Sequence, residues 1–173
     1  MRRYAGALAA AALVAACAKT ETPEQMDTRI GAESQAARTA IEAATASFVT
    51  HFNAGHADSV VQHYMPSAVV MQPNDRTLTG RDSIRAALSQ MMGWGTWRLT
   101  NTVQSVAANG PIAIVRGRWS MTFTPGANAP MPAMSDSGKF LTHYHRVGDQ
   151  WLMAEDIWNS DIPLPPPPPR RRG

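Results

Sequence analysis

The sequence predicts an α+β fold in which N-terminal helices pack on one face of a curved antiparallel sheet. Three observations carry the prediction. Apolar residues recur at spacings of three and four only between Glu33 and about Met92, alternating strand patterns fill the rest, and the chain closes on a hairpin. With 173 residues, of which 44% are hydrophobic, it is long enough for one well-buried core and too short for two ordinary domains.

The first helix follows from Ala37, Ala40, Ile41, Ala44, Phe48 and Phe52, which form one apolar stripe. Asn53-Ala54-Gly55 stops it, with Gly55 free to take the left-handed conformation. A short second helix, capped by Asp58, turns Val60, Val61 and Tyr64 inward before Pro66 ends it. Ala68 to Gln72 is a brief strand closed by Pro73. Thr79-Gly80-Arg81-Asp82 leads into a third helix from Ser83 to about Met92, with Ile84, Leu88 and Met91 on one side, and Gly93 and Gly95 end it.

Trp97 to Ala107 and Ile112 to Thr124 are strands joined by the turn Asn109-Gly110-Pro111. In the second of them Ala113, Val115, Gly117, Trp119, Met121 and Phe123 alternate with Arg116, Arg118, Ser120 and Thr122, the pattern of a half-buried antiparallel strand. Pro125 to Ser137 reads as a long loop. Lys139 to Asn159 is a hairpin about Gly148-Asp149. Strict alternation puts Phe140, Thr142 and Tyr144 on one face of its first strand and Leu141, His143 and His145 on the other. On the return strand it sets Leu152, Ala154, Asp156 and Trp158 against Trp151, Met153, Glu155 and Ile157. Neither face is polar enough for water, so both are predicted to be covered.

The formal charge of +3 is concentrated at the ends: from Glu33 to Pro163 nine Lys and Arg stand against ten Asp and Glu. A near-neutral body argues against a nucleic-acid partner, which needs a basic footprint. The one cysteine, Cys17, excludes an intrachain disulfide. It ends a segment with the design of an export signal, Met1-Arg2-Arg3 followed by the uncharged run Ala5 to Ala16. Val14-Ala15-Ala16-Cys17 resembles the bacterial lipobox, which implies a signal peptide over 1–16, lipidation at Cys17 and attachment to a membrane. Ala18 resembles the residue that sends enterobacterial lipoproteins to the outer membrane, on its periplasmic side. Residues 17–32 read as a flexible tether and 33–163 as the domain. In the tail, 164–173, Pro165 to Pro169 favour an exposed polyproline rod before Arg170, Arg171 and Arg172.

Several stretches resemble the nuclear transport factor 2-like, or ketosteroid isomerase-like, superfamily and its SnoaL-like group. They are Phe48-x-x-x-Phe52-Asn53-Ala54-Gly55-x-x-Asp58, Ala68-Val69-Val70-x-x-Pro73, Gly80-Arg81-x-x-Ile84-Arg85, and Gly138-Lys139-Phe140 through Trp151 to Asp156-x-Trp158-Asn159. The resemblance implies a cone-shaped fold over about residues 33 to 162 with a pocket between helices and sheet. Steroid isomerases of this fold use a tyrosine, an aspartate base and a neutral aspartic acid. The matching positions here are Phe48, Gln72 and Thr142, none of which supplies the required donor or base, so the resemblance does not extend to that mechanism.

On the implied pocket face stand Thr142, Tyr144, Asp156 and Trp158, with Trp119 and Met121 from the neighbouring strand and Tyr64 and Gln72 opposite. This make-up suits a small apolar or amphipathic ligand. The rival reading is an isomerase, lyase or hydrolase in which Asp156, desolvated among aromatics, is the general base and Tyr144 a donor. A third is an interaction domain with a vestigial pocket. His143-x-His145 lacks an obvious third ligand, so no metal and no cofactor is expected. A homodimer is expected through the outer face, where Arg116, Arg118, Ser120, Thr122, His143 and His145 lie with Leu141, Trp151, Met153 and Ile157.

Overall fold

The computed structural model describes residues 21–163. Cys17, the export signal and the Pro/Arg tail lie outside the described residues. Chain order is α1 (Pro23–Asn53), α2 (Ala57–Val60) with a 3-10 turn (Val61–His63), β1 (Tyr64–Met71), β2 (Leu78–Thr79), α3 (Arg81–Gly93), β3 (Gly95–Asn109), β4 (Ile112–Pro125), β5 (Met134–Val147) and β6 (Gln150–Ser160). The sheet is six-stranded and open, in the order β2-β1-β6-β5-β4-β3. β1 runs parallel to β6 and every other pair is antiparallel, so the sheet is mixed. Gly110 and Gly148, both at positive φ, turn the two long hairpins.

Helix α1 lies across β3 and is fastened at two places. About a third of the way along it, Glu33 accepts from the Gly110 amide at 2.7 Å and Ser34 from the Ala108 amide at 2.9 Å. At its end Asn53 donates to the Leu99 carbonyl at 3.0 Å and accepts from the Leu99 amide at 2.6 Å. Ala37, Ile41, Thr45 and Phe52 are buried between helix and sheet, with Phe48 partly buried beside them. The indole of Trp97 stacks on Phe123, ring centroids 4.2 Å apart, and donates to the Met91 carbonyl, which ties the end of α3 to β3.

The structure corrects the sequence reading in four places. Helix α1 begins at Pro23, so 23–32 is helical where a tether is expected: Thr22 and Gln25 form a reciprocal capping box, Pro23 sits in the first turn, and Arg29 pairs with Glu21 and Glu33. Those signals lie upstream of the apolar stripe and need none of it. Tyr64 belongs to β1, not to the second helix, and Pro66 lies inside that strand where the pairing with β6 slips between Tyr64 and Val69 and demands no amide. The segment expected as a loop to Ser137 already pairs from Met134 against β4.

The fourth correction concerns the last strand. Opposite His143 and Tyr144 the register shifts by one residue, a β-bulge at Ala154. Strict alternation places Trp151 and Met153 on the outer face, whereas the bulge turns both inward, 7% and 5% exposed. The apolar area expected at a dimer interface is smaller by these two side chains. What remains outside is Ile112, Ile114, Leu141 and Ile157, each more than 40% exposed.

Two glycines on the inner face make room for the aromatic lining. A Cβ on Gly117 would strike the Phe140 ring, and one on Gly138 would strike the Asn159 backbone and come within 2.9 Å of the Trp119 indole. Because backbone is the obstacle at 138, Gly138→Ala is expected to destabilise the protein by about 1–3 kcal/mol. Urea unfolding measures this, and a loss below about 0.5 kcal/mol would contradict the packing described.

Candidate functional site

A cavity of about 300 Å³ opens between the concave sheet, the end of α1 and α3. Its wall includes Tyr64, Gln72, Trp119, Met121, Thr142, Tyr144, Asp156 and Trp158, so the structure brings together every pocket residue named from the sequence. Phe48, Gln72 and Thr142, the positions aligned with the isomerase groups, all face it. Eight aromatic side chains line it in total, joined by Met91, Met121, Met153 and Leu99. Among the described residues on this wall there is no Lys or Arg.

Asp156 is placed by register. The bulge at Ala154 restores an inward direction to residue 156, which pairs with Thr142 on one side and Val70 on the other. The Thr142 hydroxyl donates to Oδ1 at 2.7 Å and the Tyr64 hydroxyl to Oδ2 at 3.3 Å. Asp156 keeps some accessible surface because it faces the cavity, but protein surrounds it and no cation among the described residues pairs with it. Burial therefore pushes its carboxyl above the usual carboxylate range, against the two donors, which act to lower it. Burial, and then the nearby Asp156 charge, pushes the Tyr64 and Tyr144 hydroxyls upward too, so both phenols stay protonated and available as donors.

Several wall residues escape the sequence reading, His63, Thr45 and Asn101 among them. His63 is half-buried on the wall, with its Nε2 3.4 Å from Nδ1 of His51. Burial first, and then His51, pushes its pKa down. Its surroundings come from the strand that starts at Tyr64, which the expected helix concealed. Thr45 is on the buried stripe of α1, four residues after Ile41, and was readable there. Asn101 shares the inward parity of Trp97 and Leu99, a polar residue at a core position. Its Oδ1 and the Nε1 of Trp119, its partner across β3 and β4, are buried without a hydrogen-bond partner among the described residues.

His143 and His145 lie on the outer face, their Nε2 atoms 3.1 Å apart and His143 3.2 Å from Glu155. Among the described residues no group of three or more His, Cys, Asp or Glu side chains is arranged to hold a metal ion. The chemistry the cavity can offer is proton transfer to or from one carboxyl flanked by neutral hydroxyl donors, inside an apolar enclosure.

The raised carboxyl carries a stability signature. The native state keeps the Asp156 proton to higher pH than the unfolded chain, so wild-type stability contributed here declines as pH rises from about 4 through the folded-state value. His63, pushed down, acts with the opposite sign as pH falls below the ordinary histidine range. Comparing wild type with Asp156→Asn isolates the carboxyl, since His63 is common to both. The variant is expected to be at least as stable as wild type at pH 7, with the gap in its favour shrinking towards pH 4. Urea unfolding across this range checks it, and an Asn variant that is less stable at pH 7 but matches wild type at pH 4 would reverse the assignment.

The model of the SnoaL-like domain matches residues 45–152. A search of curated proteins found no match. Among solved structures, the chain is similar to a ketosteroid isomerase-like protein of Erwinia carotovora atroseptica, at 20% identity and a TM-score of 0.63, over 72% of this chain and 96% of that one. It is similar to a provisionally named scytalone dehydratase of Novosphingobium aromaticivorans, at 16% identity and a TM-score of 0.67, over 86% and 99%. An NTF-2 like protein of unknown function from Shewanella oneidensis matches at 19% identity and a TM-score of 0.57, over 70% and 97%. At these identities the structural likenesses speak for the fold alone. With the family model covering most of the chain, the helix-on-curved-sheet architecture is that of the nuclear transport factor 2-like fold, and the chain belongs to the SnoaL-like domain family.

Proposed function

We propose that this domain binds a small apolar or amphipathic molecule in the cavity between its sheet and helices. The observation that carries the reading is an aromatic- and Met-lined cavity of about 300 Å³ whose buried carboxyl, Asp156, is directed inward by strand register. Its size is at the lower end of that of small-ligand pockets, and a mostly apolar wall with a few fixed polar groups is their usual composition. Native mass spectrometry of protein purified from its own host tests this. A retained small molecule that is lost on denaturation is the expected result, and an empty cavity in every preparation would count against it.

A second reading rests on Asp156 itself. A carboxyl held above its usual range between two neutral hydroxyls is what a general base near neutrality requires, and the Novosphingobium structure carries a dehydratase name. Under this reading Asp156 takes a proton from the bound molecule while Tyr64 or Tyr144 donates to the oxygen on which charge develops. Once a retained molecule is identified, Asp156→Asn separates the readings. An enzyme loses turnover by 100-fold or more, on the order of one general-base contribution, whereas a binder shows no turnover in either form.

The same domain is proposed to work from a membrane, tethered through lipidated Cys17, a residue outside those described. Among the described residues no helix is long and apolar enough to cross a membrane. Cys17→Ser is expected to release the protein from membranes in fractionation after a carbonate wash. A Cys17→Ser protein that stays membrane-bound would remove the lipid anchor from the account.

A further inference from the structure

We infer that the cavity selects an organic amine, whose ammonium group pairs with Asp156 while its apolar body lies against the aromatic wall. This rests on the ligand-binding reading above and names the class of molecule that reading leaves open. Two carboxylates face the cavity, Asp156 inside and the exposed Asp75 towards solvent, and no Lys or Arg among the described residues answers either from the wall. Gln72 donates to Asp75 at 2.9 Å, and Thr142 and Tyr64 donate to Asp156; these are neutral donors that bring no counter-charge to either carboxyl.

Buried charges in proteins are ordinarily paired, and an unpaired one is costly. Among the described residues none supplies the missing counter-charge, and an entering cation would supply it. A cavity of one sign between low-dielectric walls raises the local concentration of ions of the opposite sign, so Asp75 and Asp156 together favour entry of a cation and oppose an anion. The walls are suited to the same guest. Trp94, Trp119, Trp158 and Phe140 face the cavity, and ring faces attract ammonium groups, indole most strongly. Among the described residues His63 is the one basic side chain on the wall; with its pKa pushed down by burial and by His51, it stays neutral at pH 7 and does not compete for the carboxylate. The groups that face the Asp156 carboxyl, Tyr64 from β1 and Thr142 and Tyr144 from β5, are uncharged as well.

Isothermal titration at pH 7 with the full chain carrying Cys17→Ser tests the inference, using three probes of one shape: 2-naphthylmethylamine, 2-naphthylmethanol and 2-naphthoate. The amine is expected to bind about tenfold or more tighter than the alcohol, the gain of a charge-assisted over a neutral hydrogen bond. The naphthoate is expected to bind weakest. In Asp156→Asn the amine should fall to the affinity of the alcohol while the alcohol holds within about twofold, and in Asp75→Asn, which changes only the exposed carboxylate, the preference for the amine should remain. Equal affinity for amine and alcohol in the unsubstituted cavity overturns the inference and leaves the ligand-binding reading standing. An amine preference that survives Asp156→Asn, or vanishes in Asp75→Asn, also overturns it. If none of the three probes binds, the ligand-binding reading fails and this inference with it. The wild-type comparison decides the matter even if Asp156→Asn fails to fold.

Discussion

One inserted residue in the last strand decides what the cavity contains. In an extended strand residues two apart share a face, so Trp151, Met153, Glu155 and Ile157 would lie together and Asp156 with Trp158 opposite them. The bulge at Ala154 reverses the parity between Met153 and Asp156. Trp151 and Met153 consequently face the core, and so do Asp156 and Trp158, all from one eleven-residue strand. Strand β3 repeats the device: its pairing with β4 shifts between Val103 and Ser105, with Trp97, Leu99 and Asn101 inward before the shift and Ala108 after it. Bulges also strengthen local twist. Two of them, in strands at separate positions in the sheet, help wrap an open sheet round the helices without closing it into a barrel.

The carboxyl so placed is a local liability. Its desolvation outweighs the donors that Thr142 and Tyr64 supply, and among the described residues no cation offsets it. A leucine there would fit a packed core better. Consistency between local pattern and fold is what makes a sequence specify a structure, and breaches of it concentrate at functional sites. In this molecule the breaches share one place: Asp156, the half-buried His63, and the unpartnered polar atoms of Asn101 and Trp119 all belong to the cavity wall. Away from it the core follows the rules. Ile41, Val60 and Val115 are fully buried, and the ends of α1 and α3 are secured by Asn53 and Trp97.

Much of this was legible in the sequence because it depends on local periodicity. The alternation of Ala113 to Phe123 survives intact in β4, and Gly55 and Gly148 take the positive φ their turns demand. The pocket face was legible for Thr142, Tyr144, Asp156 and Trp158, although for the last two the even numbering counted through Ala154 happens to agree with the bulged strand. The same count failed for Trp151 and Met153, because a bulge is fixed by pairing with a neighbouring strand and leaves no mark in the strand's own alternation. Tyr64 was assigned to the right cavity from the wrong element. The parallel pairing of β1 with β6 joins residues some ninety positions apart, a distance at which local pattern is silent. The first turns of α1 were missed for a different reason: an exposed helix end held by a capping box and an Arg29 ion-pair cluster carries no apolar stripe to read.

The unpartnered pair adds a second polar pole to the cavity. Asp156 stands level with Val115 on β4, through Thr142, whereas Trp119 lies four residues further along that strand, about 13 Å at the usual strand rise. Between the poles the wall is aromatic and aliphatic. A wall with a carboxylate at one end and an amide oxygen beside an indole N–H at the other distinguishes the two ends of whatever occupies it, which an apolar cavity of the same volume would not. Each buried polar atom left without a partner costs about 1–3 kcal/mol. An occupant that satisfied Asn101 or Trp119 while its other end met Asp156 would recover that cost in one orientation only. The register that carries Asn101, Trp119, Thr142 and Asp156 to one surface therefore gives the cavity two chemically distinct ends.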